Sequence, residues 1–193
     1  KKTKTDSAVT LFNVTSAAQV EELLARRHKI ERLVETEDSS MTTPLVSACK
    51  RGILDVVDCL LNHGADPNNV PPGSPGPIRM AAREGFSGIV ERLVKAGANI
   101  NDAESDGETA LIIASELGHV DVVDCLLSLG ANVETTDRLG YTPLMAACEA
   151  EMIDVVDRLL AAGCNVNAFA RNNQTALTIS SYQGNVPIID RLI

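Results

Sequence analysis

The side chains able to do chemistry are few and scattered. The sequence holds three histidines (His28, His63, His119) and five cysteines (Cys49, Cys59, Cys125, Cys148, Cys164). It has no HExxH run and no CxxC pair, and no His stands with a Cys so as to build a metal cage, so no metal centre is expected. The motifs GxSxG, GxGxxG and GxxxxGK(S/T) are missing. Gly73-Ser74-Pro75-Gly76 sets a serine among glycines, but without the strand-to-helix turn that exposes a nucleophile. Paired carboxylates occur as Asp55/Asp58, Asp121/Asp124 and Asp154/Asp157, each pair in a DVVD string. Acid–base catalysis sets two carboxyls in different environments. A pair that returns unchanged three times marks a solvated face instead. The chain is read as non-catalytic, with no cofactor.

The elements carrying these residues repeat. Thr109-Ala110-Leu111 lies 33 residues before Thr142-Pro143-Leu144 and 66 after Thr43-Pro44-Leu45; Thr175-Ala176-Leu177 lies 66 after it. Gly64, Gly97, Gly130 and Gly163 keep the same interval. A fixed period of this size signals stacked supersecondary units, each too small to bury its own apolar face. In the unit Glu104–Thr136, Thr109 suits a helix N-cap. Pro44 and Pro143 suit the first helical position of sister units. A short apolar helix (Leu111, Ile112, Ile113, Ala114) runs to Gly118. A second helix places Val122, Val123, Leu126 and Leu127 on one face and stops at Gly130. The polar stretch between units fits a β-turn or hairpin.

The strings TPLVSACKRG, TALIIASELGHVDVVDCLLSLGANV and TPLMAACEAEMIDVVDRLLAAGCNVNA resemble the ankyrin repeat pattern, over roughly residues 38–193. The fold expected is all-α: an ankyrin-repeat solenoid of helix-turn-helix units joined by β-hairpin or turn fingers. The units are 38–70, 71–103, 104–136, 137–169 and 170–193, the last stopping inside its second helix. They follow a polar lead and degenerate N-terminal capping repeat over 1–37. There Ser16 and Gln19 have capping-box spacing, Glu21 and Glu22 sit in the first turn, and Val20, Leu23 and Leu24 form the stripe. Leu11-Phe12 belongs to the same unit. Arg26, Arg27, His28 and Lys29 replace the usual Gly-Ala turn, read as a solubilising cap before a basic binding patch. His119 occupies a position where the family commonly has His, which favours a structural role.

Two units depart from the pattern. The finger PPGSPGPIRM has Gly76 where Thr is expected and four prolines (Pro71, Pro72, Pro75, Pro77), so it is expected to be stiff and poor in hydrogen bonds. A drifted loop is preferred over a recognition edge. Glu151 stands where other units have Gly52, Gly85, Gly118 and Gly184, a cost of up to about 1 kcal/mol if the site is left-handed.

The resemblance implies binding of a partner at the finger tips and the exposed side of the first helices. The tip column reads Ser39, Ser40, Thr42; Pro72, Gly73, Pro75; Ser105, Asp106, Glu108; Arg138, Leu139, Tyr141; Arg171, Asn172, Gln174. The helix column reads Lys50/Arg51, Arg83/Glu84, Glu116/Leu117, Glu149/Ala150, Tyr182/Gln183. The partner-binding residues selected are Asp106, Glu108, Glu116, Leu117, Arg138, Leu139, Tyr141, Glu149 and Tyr182. They offer an acidic centre beside apolar tips, suited to a segment mixing Lys/Arg with an apolar anchor. Two Tyr, three Phe and no Trp are too few to cage a methylated lysine.

Charge narrows the partner. Residues 1–36 carry 7 Lys/Arg against 5 Asp/Glu, whereas residues 37–193 carry 10 against 21. An array this acidic does not suit the phosphate backbone, so nucleic acid is excluded as a partner. An odd cysteine number without disulfide spacing points to a reducing compartment, and no signal peptide or membrane-spanning stretch is read. The expectation is an intracellular module, cytoplasmic or nuclear, without direct membrane insertion, in which the Asn13 and Asn173 sequons are irrelevant. It binds another protein or peptide as a monomeric part of a longer chain, since the sequence lacks an initial Met and ends on apolar Leu192-Ile193. The alternative is a structural or regulatory segment of a larger enzyme, ligase or channel with an intramolecular partner.

Overall fold

The computed structural model describes residues 14–25, 42–70 and 73–193. The polar lead, Leu11-Phe12, the Asn13 sequon, the run Arg26 to Lys29, the tips Ser39 and Ser40, and Pro71 and Pro72 lie outside the described residues. Helix α1 is Ala17–Ala25. Five helix pairs follow: α2 Pro44–Arg51 and α3 Leu54–Asn62, α4 Pro77–Arg83 and α5 Ser87–Lys95, α6 Ala110–Glu116 and α7 Val120–Ser128, α8 Pro143–Glu149 and α9 Ile153–Ala161, α10 Ala176–Gln183 and α11 Val186–Leu192.

The first helix of a pair begins where the sequence places a cap. Thr43, Thr109, Thr142 and Thr175 are extended at the N-cap, and each hydroxyl accepts from the N–H three residues on. Gly76 has no side chain to offer, so α4 starts on Pro77 with that amide uncapped. The second helices have no side-chain cap except at Asn185, and three gain from Asp55, Asp121 or Asp154 in the first turn.

The pairs stack in two layers. Helices α2, α4, α6, α8 and α10 pack in sequence as one layer; α3, α5, α7, α9 and α11 form the other. Leu45, Ile78, Leu111 and Leu144 run down the first layer and Leu60, Leu93, Leu126 and Leu159 down the second, all essentially without solvent contact. Helix α1 packs on α3, so it extends the layer of second helices. It is held there by buried Val14 and Val20, by Arg51 Nη1 donating to Val14 O (2.7 Å), and by Ala17 N donating to Asp55 Oδ2 (3.2 Å). The capping interaction differs from the expected box: Gln19 Oε1 accepts from Thr15 N (2.7 Å), one residue before Ser16.

The fingers are turns. Among the described residues the only β pairing is an isolated antiparallel bridge between Ala103 and Thr109. Neighbouring fingers are instead tied to one another, with Arg138 N donating to Asp106 O (2.7 Å) and Arg171 N to Leu139 O (2.9 Å). Within a finger the chain closes by single bonds, Asp137 N to Tyr141 O (3.1 Å) and Ala170 N to Gln174 O (2.8 Å), while the tip amides of Arg138 and Arg171 donate to the preceding unit.

The inter-helix glycine has two jobs. Gly118 has φ +73°, and a Cβ there would lie 2.6 Å from Met152 Sδ of the next unit. Gly52 meets Phe86 and Gly85 meets His119 in the same way. Glu151 does adopt the left-handed conformation, φ +59°. The next unit carries Asn185 in that place, whose Nδ2 donates to Glu151 Oε2 (2.9 Å). A smaller neighbour makes room for the Glu side chain and then binds it.

Leu126→Ala removes a fully buried side chain from the second layer and is expected to destabilise the chain by roughly 2–5 kcal/mol in urea unfolding. A loss under about 0.5 kcal/mol would contradict this burial. Gly118→Ala is expected to cost more than about 1 kcal/mol, since strain and the Met152 clash add, whereas Glu151→Gly is expected to gain up to about 1 kcal/mol.

Candidate functional site

Units three and four enclose a depression of about 380 Å³, lined by Glu108, Ile112, Glu116, Asp137, Leu139, Tyr141, Ala146, Glu149 and Ala150. Five of the nine selected residues meet there: Glu108, Glu116, Leu139, Tyr141 and Glu149. The other four stand outside its lining. Asp106 and Arg138 are exposed on neighbouring finger tips, Leu117 is at the C-terminus of α6, and Tyr182, 93% exposed, lies on α10.

The finger shape follows from a few polar atoms. Asp106 Oδ1 accepts from Glu108 N (3.0 Å); Asp137 Oδ1 accepts from Leu139 N (2.8 Å) and Tyr141 N (2.7 Å). These turns lift Leu139 to 63% exposure while returning the chain to the caps Thr109 and Thr142. Gly107, at φ +85°, permits the fingers to touch, because a Cβ there would lie 2.8 Å from Arg138 N. Tyr141 is half-buried, and its hydroxyl donates to Gln174 Oε1 (2.7 Å). Its ring is therefore a braced wall, with little side-chain entropy left to lose on contact.

Ile112 and Ala146 form part of the lining, and Glu116 and Glu149 extend from the ends of α6 and α8 at its edge. Glu108 lies deeper. Burial, then the charges of Asp106 and Glu116, raise its carboxyl above the ordinary range; Arg83 opposes this and Asp137 adds to it. The Arg83 contact is long, Nη2 to Glu108 Oε2 3.6 Å. Asp137, Ile112 and Ala146 were not selected from the sequence. Asp137 is committed to its own turn, and the other two read as core.

Three features stand elsewhere, of which the structural role of His119 was expected from the sequence and the other two were not. Arg79 is buried, with Nη2 2.8 Å from Glu104 Oε1 and Nε 3.6 Å from Asp102 Oδ2. It takes the place of apolar Val46, Ile112 and Met145, and Gly76, without a side chain, leaves room for the guanidinium and Asp102. The departure at Gly76 is thus coupled to Arg79 rather than being loop drift alone. His119 is structural: Nε2 donates to Arg83 O (3.0 Å) and the ring covers Gly85. The third feature corrects the expectation that no His and Cys share a cluster. Cys59 and His63 lie one turn apart on α3 and at its end, and Glu21 of α1 joins them. Two consecutive units, the N-terminal cap and the first full repeat, meet there.

The cysteines are free thiols. Burial raises Cys49, Cys125 and Cys148; Cys59 is pushed up to about 11 by burial and then Glu21, and Cys164 to about 11 by burial and then Glu134. Thiols so protonated are poor nucleophiles at neutral pH. Among the described residues, no helix is long and apolar enough to cross a membrane.

A family model described as "Ankyrin repeats (3 copies)" matches residues 78–170 and 129–193, and one described as "Ankyrin repeat" matches 42–70. No curated protein matches the chain. Ankyrin repeats are in general protein–protein interaction modules, and their domains are typically non-catalytic. With paired helices in two layers, Thr-capped first helices and matches over most of its length, the chain belongs to the ankyrin-repeat family.

Proposed function

We propose that this chain is a recognition module that binds a protein segment carrying Lys or Arg beside an apolar side chain, in the depression between units three and four. The observation that carries this reading is the joining of three carboxylates, Glu108, Glu116 and Glu149, to the exposed Leu139 and the braced Tyr141 in one cavity. A side chain with an apolar stem and a cationic head fits such a lining. Its charge meets the carboxylates while its stem, or a neighbouring apolar residue, packs on Leu139 and Tyr141. Asp106, Arg138, Leu117 and Tyr182 border this contact on the same face and extend it to flanking residues of the partner. The acidic rim steers a basic segment inward, and the preformed cavity limits the ordering that binding requires. The setting proposed is intracellular, in keeping with five free thiols.

Crosslinking pull-down with the wild-type chain and with a folded variant (Glu116→Lys, Glu149→Lys, Leu139→Ala, Tyr141→Ala) tests the site. Partners captured by the wild type and lost with the variant are expected; equal capture by both would move the site elsewhere. Binding is expected to weaken as salt rises, and unchanged affinity from low to high salt would remove the acidic centre from the account.

The raised carboxyl of Glu108 gives a second prediction. A cationic ligand favours the charged form, so affinity rises with pH as Glu108 loses its proton. Stability runs the other way. The folded chain holds this proton more tightly than the unfolded chain, so this group's contribution to stability falls as pH rises through the window from the ordinary carboxylate value to the raised one. Glu108→Gln is therefore expected to leave stability at pH 7 equal or higher in urea unfolding while weakening partner binding. A variant both less stable and equally active in binding would contradict both assignments.

A further inference from the structure

The second helices carry a repeating ionic contact. Thirty-four residues separate an acid on one helix from an arginine on the next: Arg92 Nε lies 2.5 Å from Asp58 Oδ1, Arg158 Nε 3.5 Å from Asp124 Oδ1, and Arg191 Nε 2.6 Å from Asp157 Oδ1. Two steps of this column carry Cys in place of Arg. At one of them Cys125 faces Glu91, and Lys95 supplies the missing cation 2.5 Å from Glu91 Oε1. At the other, Cys59 faces Glu21 of α1, with Sγ 3.4 Å from Oε1. No lysine or arginine contacts Glu21 among the described residues; the group that approaches it is His63, Nε2 3.4 Å from Oε2.

The three donors lie within 4.8 Å of one another. One sulfur, one imidazole nitrogen and one carboxylate oxygen form a donor set suited to zinc. Tetrahedral bonds of about 2.0–2.3 Å place neighbouring donors roughly 3.3–3.6 Å apart. Here Cys59 Sγ lies 3.4 Å from Glu21 Oε1, His63 Nε2 3.4 Å from Glu21 Oε2 and Cys59 Sγ 3.7 Å from His63 Nδ1, so small side-chain rotations would bring one atom of each residue onto an ion. His63 is also oriented as a ligand is. Its Nδ1–H donates to the Cys59 carbonyl oxygen (2.8 Å), so Nε2, on the side of Glu21, is the ring nitrogen available to a metal. A metal-bound histidine typically donates its other N–H to such an outer group.

We propose that Glu21, Cys59 and His63 bind a zinc-class divalent transition metal, with a fourth position open to water, and that the ion clasps α1 onto α3. Cys59 releases its thiol proton on binding, so a carboxylate and a thiolate balance the dication. The step is then as neutral as the Asp–Arg contacts along the same column. Cys59 is buried, while Glu21 is 60% and His63 25% exposed at the side chain, so the ion has a path from solvent. The role is structural, since α1 otherwise rests on two buried valines and a few hydrogen bonds.

Titration of the reduced 193-residue chain with Co²⁺, followed by Zn²⁺, tests this. One Co²⁺ per chain with a thiolate-to-cobalt charge-transfer band, displaced by Zn²⁺, is expected, as is a rise in melting temperature with Zn²⁺. Cys59→Ala is expected to abolish the band, and His63→Ala and Glu21→Gln each to weaken binding by about 10-fold or more. Cys125→Ala, at the equivalent position beside Lys95, is expected to retain the band. Circular dichroism checks that each variant folds; should Cys59→Ala unfold, the affinities of the two surface variants decide. The proposal is overturned if the wild type shows no such band, if the band survives Cys59→Ala, or if His63→Ala and Glu21→Gln both bind as the wild type does.

Discussion

Each helix pair has an apolar face that its own few turns cannot cover, and the rest of the structure depends on covering it with the next unit. Helices of seven to nine residues are too short to persist alone in water. The buried leucines at 33-residue spacing are the contacts that make them persist together. This explains why departures from the repeat come in matched neighbours. A left-handed Glu151 is accompanied by a small, bonding Asn185 of the next unit, and the buried Arg79 beside Gly76 by Asp102 and, at the start of the next unit, Glu104. A residue in a stack is tuned to the residue one unit away.

The same logic extends to charge. The column on the second helices accepts an arginine, or a cysteine with a cation supplied from another position, because what each step requires is neutralisation of one acid. Lys95 meets that need from within its own helix, and at Glu21 the proposed metal would meet it. Position in the repeat therefore sets the requirement, and the neighbouring unit decides which group satisfies it.

The groove is built on the opposite terms. Glu108 holds its proton more tightly than an ordinary carboxyl because of its burial and then the like charges around it. Those charges do not help the stack; they are a local cost carried by a core that lies elsewhere. Tyr141 and the Asp137 turn, by contrast, are secured by hydrogen bonds. A rigid wall beside mutually repelling carboxylates is a surface that gains from a cationic partner.

Much of this architecture was legible in the residues themselves. Thr caps, N-terminal prolines and stopping glycines act within a few residues, and a strict period carries them through the chain, so helix positions and core leucines could be read directly. Five groove residues were legible too, since repeat columns place tip and helix positions side by side. The expected hairpins reduced to turns, closed by single backbone bonds within a finger and tied by others to the preceding unit. The setting of Asp137 and Arg79, and the meeting of Glu21 with Cys59 and His63, depended on contacts between units at separations the repeat does not specify. Helix α1 joins the stack outside the 33-residue register, and where its side chains land on α3 follows from packing. Local chemistry and periodicity were determined by the sequence alone; which distant side chains share a site was decided by how the units dock, because that depends on shape summed over whole helix faces.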